Sequence, residues 1–171
     1  NGFAPCTNWL KKRVRKAYEA DNSDYDLIYV WGFDLTEKNR AERTIEANPQ
    51  ASHEFPLIDK GLSKEEVHGL FERTFDFSRP KMYDLGYPNN NCIGCIKGGM
   101  GYWNRIRVDF PDVFLQRAKL ERELGFSILK DSHGNPVFLD ELEKDRGNMN
   151  TEIFPDCGIM CYFASLEQTS A

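Results

Sequence analysis

Cys92 and Cys95 stand in the run NNNCIGCIKGGMGYWNRIR, residues 89–107, among glycines and basic side chains. Three chemistries use a Cys-x-x-Cys pair: a disulfide redox couple, two ligands of a zinc or iron–sulfur site, and a disulfide staple. A second close pair, Cys157 and Cys161 in DCGIMC, follows Cys95 after 61 intervening residues. Zinc takes four thiolates tetrahedrally from pairs at such spacings, and a 4Fe-4S cluster takes four thiolates as well. The two pairs read as halves of one site, with Gly94 and Gly158 relaxing the tight loops that this needs. Redox or nucleophilic thiols, and thiols that only fill space, stand as alternatives. A disulfide scaffold of the secreted kind is disfavoured, because the chain has only five unevenly spaced cysteines in 171 residues.

Basic side chains accompany the cysteines. Lys97, Arg105 and Arg107 lie in the same stretch, and Lys11, Lys12, Arg13, Arg15 and Lys16 lie near the start of the chain. Ammonium and guanidinium groups around a shared crevice would suit phosphate or sulfate, and the alternative is an ordinary solvated helix face. His53, His68 and His133 are scattered, and no serine stands with a histidine and an acid in a triad pattern. Tyr102 and Trp103 read as core rather than as a stacking platform for a base.

Composition sets the frame for these groups. A chain with 40% apolar and 13% aromatic residues can build a real core. A formal charge of -5 gives no general attraction to nucleic acid or to an anionic membrane, so neither is indicated as a partner. No run approaches the roughly 18 to 20 apolar residues of a membrane span, and NGFAPCTNW lacks a signal peptide's apolar core. The expected compartment is the cytoplasm.

The elements that must position the cysteines follow from pattern. Thr7 or Asn8 can cap a helix over WLKKRVRKAYEA, with Trp9, Leu10, Val14 and Ala17 on one side. DYDLIYVWGFD reads as a strand whose continuous apolar run suits cover on both faces. Thr36 is expected to cap the next helix, which Pro49 ends, and HEFPLID is expected to be a short edge strand. Ser63 and Glu66 form a capping box for a helix whose buried stripe is expected from Val67, Leu70, Phe71 and Phe75. A short helix over SRPKMYDLGY leads into the cysteine loop. Beyond the loop, Pro111 opens and Gly125 closes a helix, and a hairpin and a brief helix around LDELEKD follow. Strand, helix, strand, then mostly helix is the signature of an α/β sheet with a helical tail. Two parallel strands make a marginal sheet, so further strands are expected upstream of Asn1.

Four motifs, in order, resemble the phosphoadenosine-phosphosulfate reductase family of the adenine nucleotide alpha-hydrolase superfamily. PCTNWLKKRV resembles its Cys-Thr/Cys-x-x-Leu-Lys segment, VWGFDLTEKNRAER its Gly-x-Arg-x-x-Glu-Ser segment, NNCIGCIKGG its Cys-x-x-Cys, and DCGIMC its terminal Glu-Cys-Gly-Ile-His. The likeness spans nearly the whole chain and is nearest to phage and bacterial members with GYWNRIRVDFPDVF after the Cys-x-x-Cys. Asp34 stands at the family Arg, Thr7 at a second Cys, and Met160 at the terminal His. The family's Ser-Gly-Gly-x-x-Ser phosphate loop does not occur, and the one Gly-Gly is Gly98-Gly99.

The resemblance implies a partial Rossmann-like parallel sheet with a helical, cysteine-linked C-terminal region: one domain over 1–171, α/β over 1–88 and helical and Cys-rich over 89–171. It implies adenine-nucleotide-dependent sulfur chemistry in an intact parent, on an adenine nucleotide or sulfonucleotide, with a thiol reductant protein as partner. The chain as it stands is expected to be inactive without the phosphate loop. Cys157 falls at the family's nucleophile, Lys11 at its Lys, and Arg13, Arg40 and Arg43 near its anion-binding positions. Glu37 falls at the family Glu, which holds a neighbouring Arg or loop. Cys92, Cys95, Cys157 and Cys161 are the implied ligands of zinc or a 4Fe-4S cluster, with Cys6 as an alternative ligand. The other reading is a non-enzymatic nucleotide- or partner-binding module in which the four cysteines hold a structural metal.

Overall fold

Side chains able to close a helix end set many of the element boundaries. In the computed structural model, which describes Cys6 and residues 8–152, the fold is mixed α/β, with about half of these residues helical and a small parallel sheet of two strands. The contacts divide the chain into two units, with a break between Lys81 and Met82.

In the first unit a π-helical turn, Asn8–Lys12, runs into α1 (Arg13–Asp21). β1 (Ile28–Val30) pairs in parallel with β2 (Ser52–Glu54), Tyr29 opposite His53. Parallel strands need a crossover. Here it is a 3₁₀ turn, Leu35–Glu37, and α2 (Lys38–Ala47). The cap lies two residues before the expected Thr36: the Asp34 carboxylate accepts from the Thr36 N–H, and the Glu37 carboxylate accepts from the Asp34 N–H. Pro56 does not extend β2 as an edge strand but opens a one-turn helix, α3 (Pro56–Asp59), where its missing N–H is no loss. α4 (Lys64–Thr74) starts at the Ser63–Glu66 capping box that the sequence predicts.

Period-two alternation lines one face of the sheet with rings. Trp31 stacks on Phe33 at 5.5 Å between centroids, Phe33 on Phe55 at 5.9 Å, and Tyr29 lies 5.7 Å from His53. Trp31 Nε1 donates to His53 Nδ1, so the proton of His53 sits on Nε2 and points at the Asn48 carbonyl. Among the described residues nothing covers the other face, which corrects the expectation of a strand buried on both sides: Ile28 and Val30 are 58% and 64% exposed. The stripe of α4 is likewise not buried, since Leu70 and Phe75 are exposed and Phe75 gathers with Phe71 and Phe77 in a surface cluster of rings. On the first helix Leu10, Val14 and Tyr18 are exposed, while Lys12, Arg15, Glu19 and Asn22 are the half-buried positions.

The second unit holds the main core. α5 (Lys81–Asp84) leads through the cysteine loop to α6 (Met100–Asp109) and α7 (Pro111–Leu124). β3 (Leu129–Lys130) and β4 (Pro136–Val137) form an antiparallel hairpin, and the brief helix expected over LDELEKD is a 3₁₀ turn, Leu139–Glu141. Met82, Tyr87, Tyr102, Trp103, Ile106 and Phe114 pack together with Leu129, Leu139 and Leu142. α7 ends at Gly125, whose φ of +65° is the left-handed cap that a Cβ disfavours. Within this core the buried Glu121 carboxylate accepts the N–H groups of Ile128 and Leu139, tying α7 to the chain on both sides of the hairpin.

Candidate metal centre

The Cys92–Cys95 loop rests on the first turn of α6 and on α7. Gly94, between the cysteines, has φ +72° and is buried. A Cβ there would come within 2.8 Å of Val113 Cγ1 and 3.4 Å of Trp103 Cη2, so the position admits glycine on two counts. Tyr102 pins the loop: the Cys95 N–H donates to its hydroxyl at 3.0 Å, and the hydroxyl donates to the Cys92 carbonyl at 3.0 Å. Burial pushes the Tyr102 phenol up from its ordinary range, which keeps this O–H a donor through neutral pH. Cys92 is exposed and Cys95 half-buried, and neither is in a disulfide. The result is a turn, held by Tyr102, that carries both thiols.

The segment that leads towards the second cysteine pair reaches the same helix start. Residues 147–152 lie against Gly101, where a Cβ would be 2.4 Å from the Met149 amide nitrogen. The Glu152 carboxylate accepts the N–H groups of Gly101 and Tyr102, closing the exposed amides of α6 with a negative charge. A shallow cleft of about 390 Å³ opens beside it, lined by Gly86, Pro88, Asn89, Met149, Asn150 and Glu152. Cys157 and Cys161, together with Gly158, lie outside the described residues. Among the described residues no group of three or more His, Cys, Asp and Glu side chains is gathered to hold a metal ion.

Trp103 is fully buried, and among the described residues neither its Nε1–H nor the solvent-shielded Nε–H of Arg117 has an acceptor. Arg117 Nε stands 3.8 Å from the place of a Cβ on Gly94, on the same side as Trp103. Leaving a buried donor unpaired costs about 1–3 kcal/mol, and the atom of Trp103 that meets Gly94 is Cη2 rather than Nε1.

The remaining predicted positions fall elsewhere. Arg105 donates to the Asp109 carboxylate and the Leu85 carbonyl, and Arg107 to the Leu139 and Leu142 carbonyls, so both brace the second unit. Tyr87 completes the first of these with a 3.0 Å bond to Asp109. In the first unit Glu37 holds Arg40 in an ion pair, and Arg40 also lies over the Phe33 ring. Arg43 donates to the Asn39 carbonyl, Arg13 stacks on Trp9, and Lys11 and Cys6 are exposed. Arg40 lies in the first turn of α2, which follows β1 after the connection over residues 31–37. A cleft of about 680 Å³ in this unit lies at the amino-terminal ends of β1 and β2, with Arg15, Lys16, Tyr25 and Gln50 in its walls.

Tyr102 is core, as the sequence reading has it, yet its hydroxyl also ties the loop. Glu152 and Arg117 went unread. Arg117 left one local signal, a charge four residues after Val113 and three after Phe114 on the apolar side of α7. Comparison with protein-family models, with curated proteins and with solved structures returns no match to this chain.

Proposed function

We propose that this chain is the C-terminal part of a phosphoadenosine-phosphosulfate-reductase-like protein, in which Cys92, Cys95, Cys157 and Cys161 hold one zinc ion or one 4Fe-4S cluster. The observation that carries the reading is the double attachment at the start of α6. Tyr102 fixes the first cysteine pair there, and its backbone N–H binds Glu152. Cys157 follows Glu152 by five residues and Cys161 by nine, lengths of chain that reach at most about 18 and 32 Å, so one centre is within reach of both pairs. Bound there, the metal centre would cross-link the C-terminal segment to the core of the second unit.

The β1–α2–β2 crossover supports a share in a Rossmann-like sheet, with Lys11, Arg13, Arg40 and Arg43 as anion-binding candidates for an adenine nucleotide or sulfonucleotide. In the intact parent the chemistry would be thiol-dependent reduction of a sulfonucleotide or nucleotide-dependent sulfur transfer, with a thiol reductant protein as partner. In this reading Cys157 is a ligand first, and its nucleophile role belongs to a state in which it is released. A cytoplasm that keeps thiols reduced suits the site. Among the described residues no helix is long and apolar enough to cross a membrane.

Single Cys-to-Ser replacements test the ligand set. Cys92→Ser, Cys95→Ser, Cys157→Ser and Cys161→Ser should each lose most of the bound metal on anaerobic purification, and Cys6→Ser should keep it. Full metal content in Cys157→Ser and Cys161→Ser would break the link between the two pairs.

A further inference from the structure

The two ring nitrogens of His53 have partners that admit one protonation state. An indole N–H can only donate, so His53 Nδ1 accepts from Trp31 Nε1 at 3.0 Å. A carbonyl can only accept, so Nε2 donates to the Asn48 oxygen at 3.1 Å. The neutral imidazole with its hydrogen on Nε2 meets both demands. The imidazolium carries a hydrogen on each nitrogen, and its Nδ1–H would then face the N–H of Trp31. Three pieces of the first unit meet in this chain of bonds. Asn48 closes the C-terminus of α2, His53 is the middle residue of β2, and Trp31 begins the connection from β1 to α2. Trp31 stacks in turn on Phe33, and the Arg40 guanidinium lies 4.4 Å above the Phe33 ring.

We propose that the Trp31–His53–Asn48 chain is an acid-released clasp: a proton taken up at His53 Nδ1 breaks the bond to Trp31 and loosens the connection over residues 31–37. The surroundings hold no spare counter-charge for an imidazolium. The charged groups that line the cleft of about 680 Å³ with His53 are Arg15, Lys16, Glu19 and Asp26, cations and carboxylates in equal number. Glu19 is already engaged by Arg15 and by the Tyr29 hydroxyl. That hydroxyl bond raises the Tyr29 phenol, so Tyr29 stays neutral while histidines titrate. Glu54, next along β2, projects to the opposite face of the sheet. Below about pH 6.5 a histidine in the unfolded chain binds a proton for which the clasped form has no place, so opening takes up a proton and is favoured as pH falls.

The test is amide hydrogen exchange and nitrogen NMR on the full chain at about pH 7.5 and about pH 5.5. The Trp31 backbone N–H, bonded to the Glu54 carbonyl, reports opening of the connection once its rate is corrected for intrinsic exchange. Its opening constant should rise roughly tenfold between the two pH values, the effect of one proton excluded from the clasped form. The Trp31 indole N–H signal should move in step with protonation of His53. His53→Asn, which cannot charge, should lose the rise, and so should Trp31→Phe, which leaves Nδ1 free to take the proton. His133→Gln, at an exposed position of the second unit, should keep it. A rise of equal size in wild type and His53→Asn overturns the proposal. An indole signal that stays in place while His53 titrates also overturns it, and this reading on the wild-type protein needs neither variant to fold. None of these measurements involves a bound metal, so their outcome is separate from that of the cysteine site.

Discussion

Gly94 carries two constraints at once, a left-handed backbone and contact with Val113 and Trp103. Gly94→Ala should therefore destabilise the protein by about 1–3 kcal/mol, the range for a strained backbone position, read as a lower urea midpoint. Loss of bound metal should accompany it, because the turn that separates the two sulfurs would open. An Ala protein with unchanged midpoint and metal content would mean that the loop has other ways to seat itself. At this scale the sequence was readable in part. The cysteine spacing and the need for a flexible residue between the cysteines are local, and so are visible in the chain. The Tyr102 hydroxyl, Glu152 and Arg117 are not, because their partners lie across a loop, on a distant segment or on a neighbouring helix, and no short pattern encodes such meetings. The first helix shows the same limit for charge: residues 11–16 read as a cation cluster, but Arg13 lies on Trp9 and Arg15 is paired with Glu19.

Helix ends were legible where a side chain or a backbone preference sets them. Ser63 with Glu66 starts α4, Pro111 starts α7, and Gly125 ends it, all as the chain suggests. Burial of faces was not legible. Periodicity says which residues share a side of a helix or strand and nothing about what covers that side, so Ile28, Val30, Leu70 and Phe75 were misread as buried. The α6 and α7 elements make a testable claim about pH. Burial, with a hydrogen bond to Asp109, raises the Tyr87 phenol well above its ordinary value, and burial raises Tyr102 as well. Both folded values lie above the unfolded value of about 10, so the neutral phenols' contribution to stability is complete below about pH 10 and is lost as pH rises further. Urea unfolding followed by tryptophan fluorescence should show stability falling above about pH 10, and Tyr87→Phe should flatten that fall. An alkaline slope identical in wild type and Tyr87→Phe would remove Tyr87 from this account.

At the scale of the whole molecule, the two units differ in how they bury their apolar residues. The second closes a core around Tyr102, Trp103 and Ile106, whereas the first has Leu10, Val14, Tyr18, Ile28 and Val30 at its surface. Among the described residues its sheet has two strands, with Ile28 and Val30 exposed on one face. The cysteine site is the part of the account that this chain can answer by itself. Its most direct test is native mass spectrometry of the anaerobically purified full chain, with thiol titration of the same sample. The account predicts one zinc, or four irons with four sulfides, per chain, and no freely titrating thiol at Cys92, Cys95, Cys157 or Cys161 until the metal is removed. A metal-free mass with all four of these thiols titrating at once would contradict it.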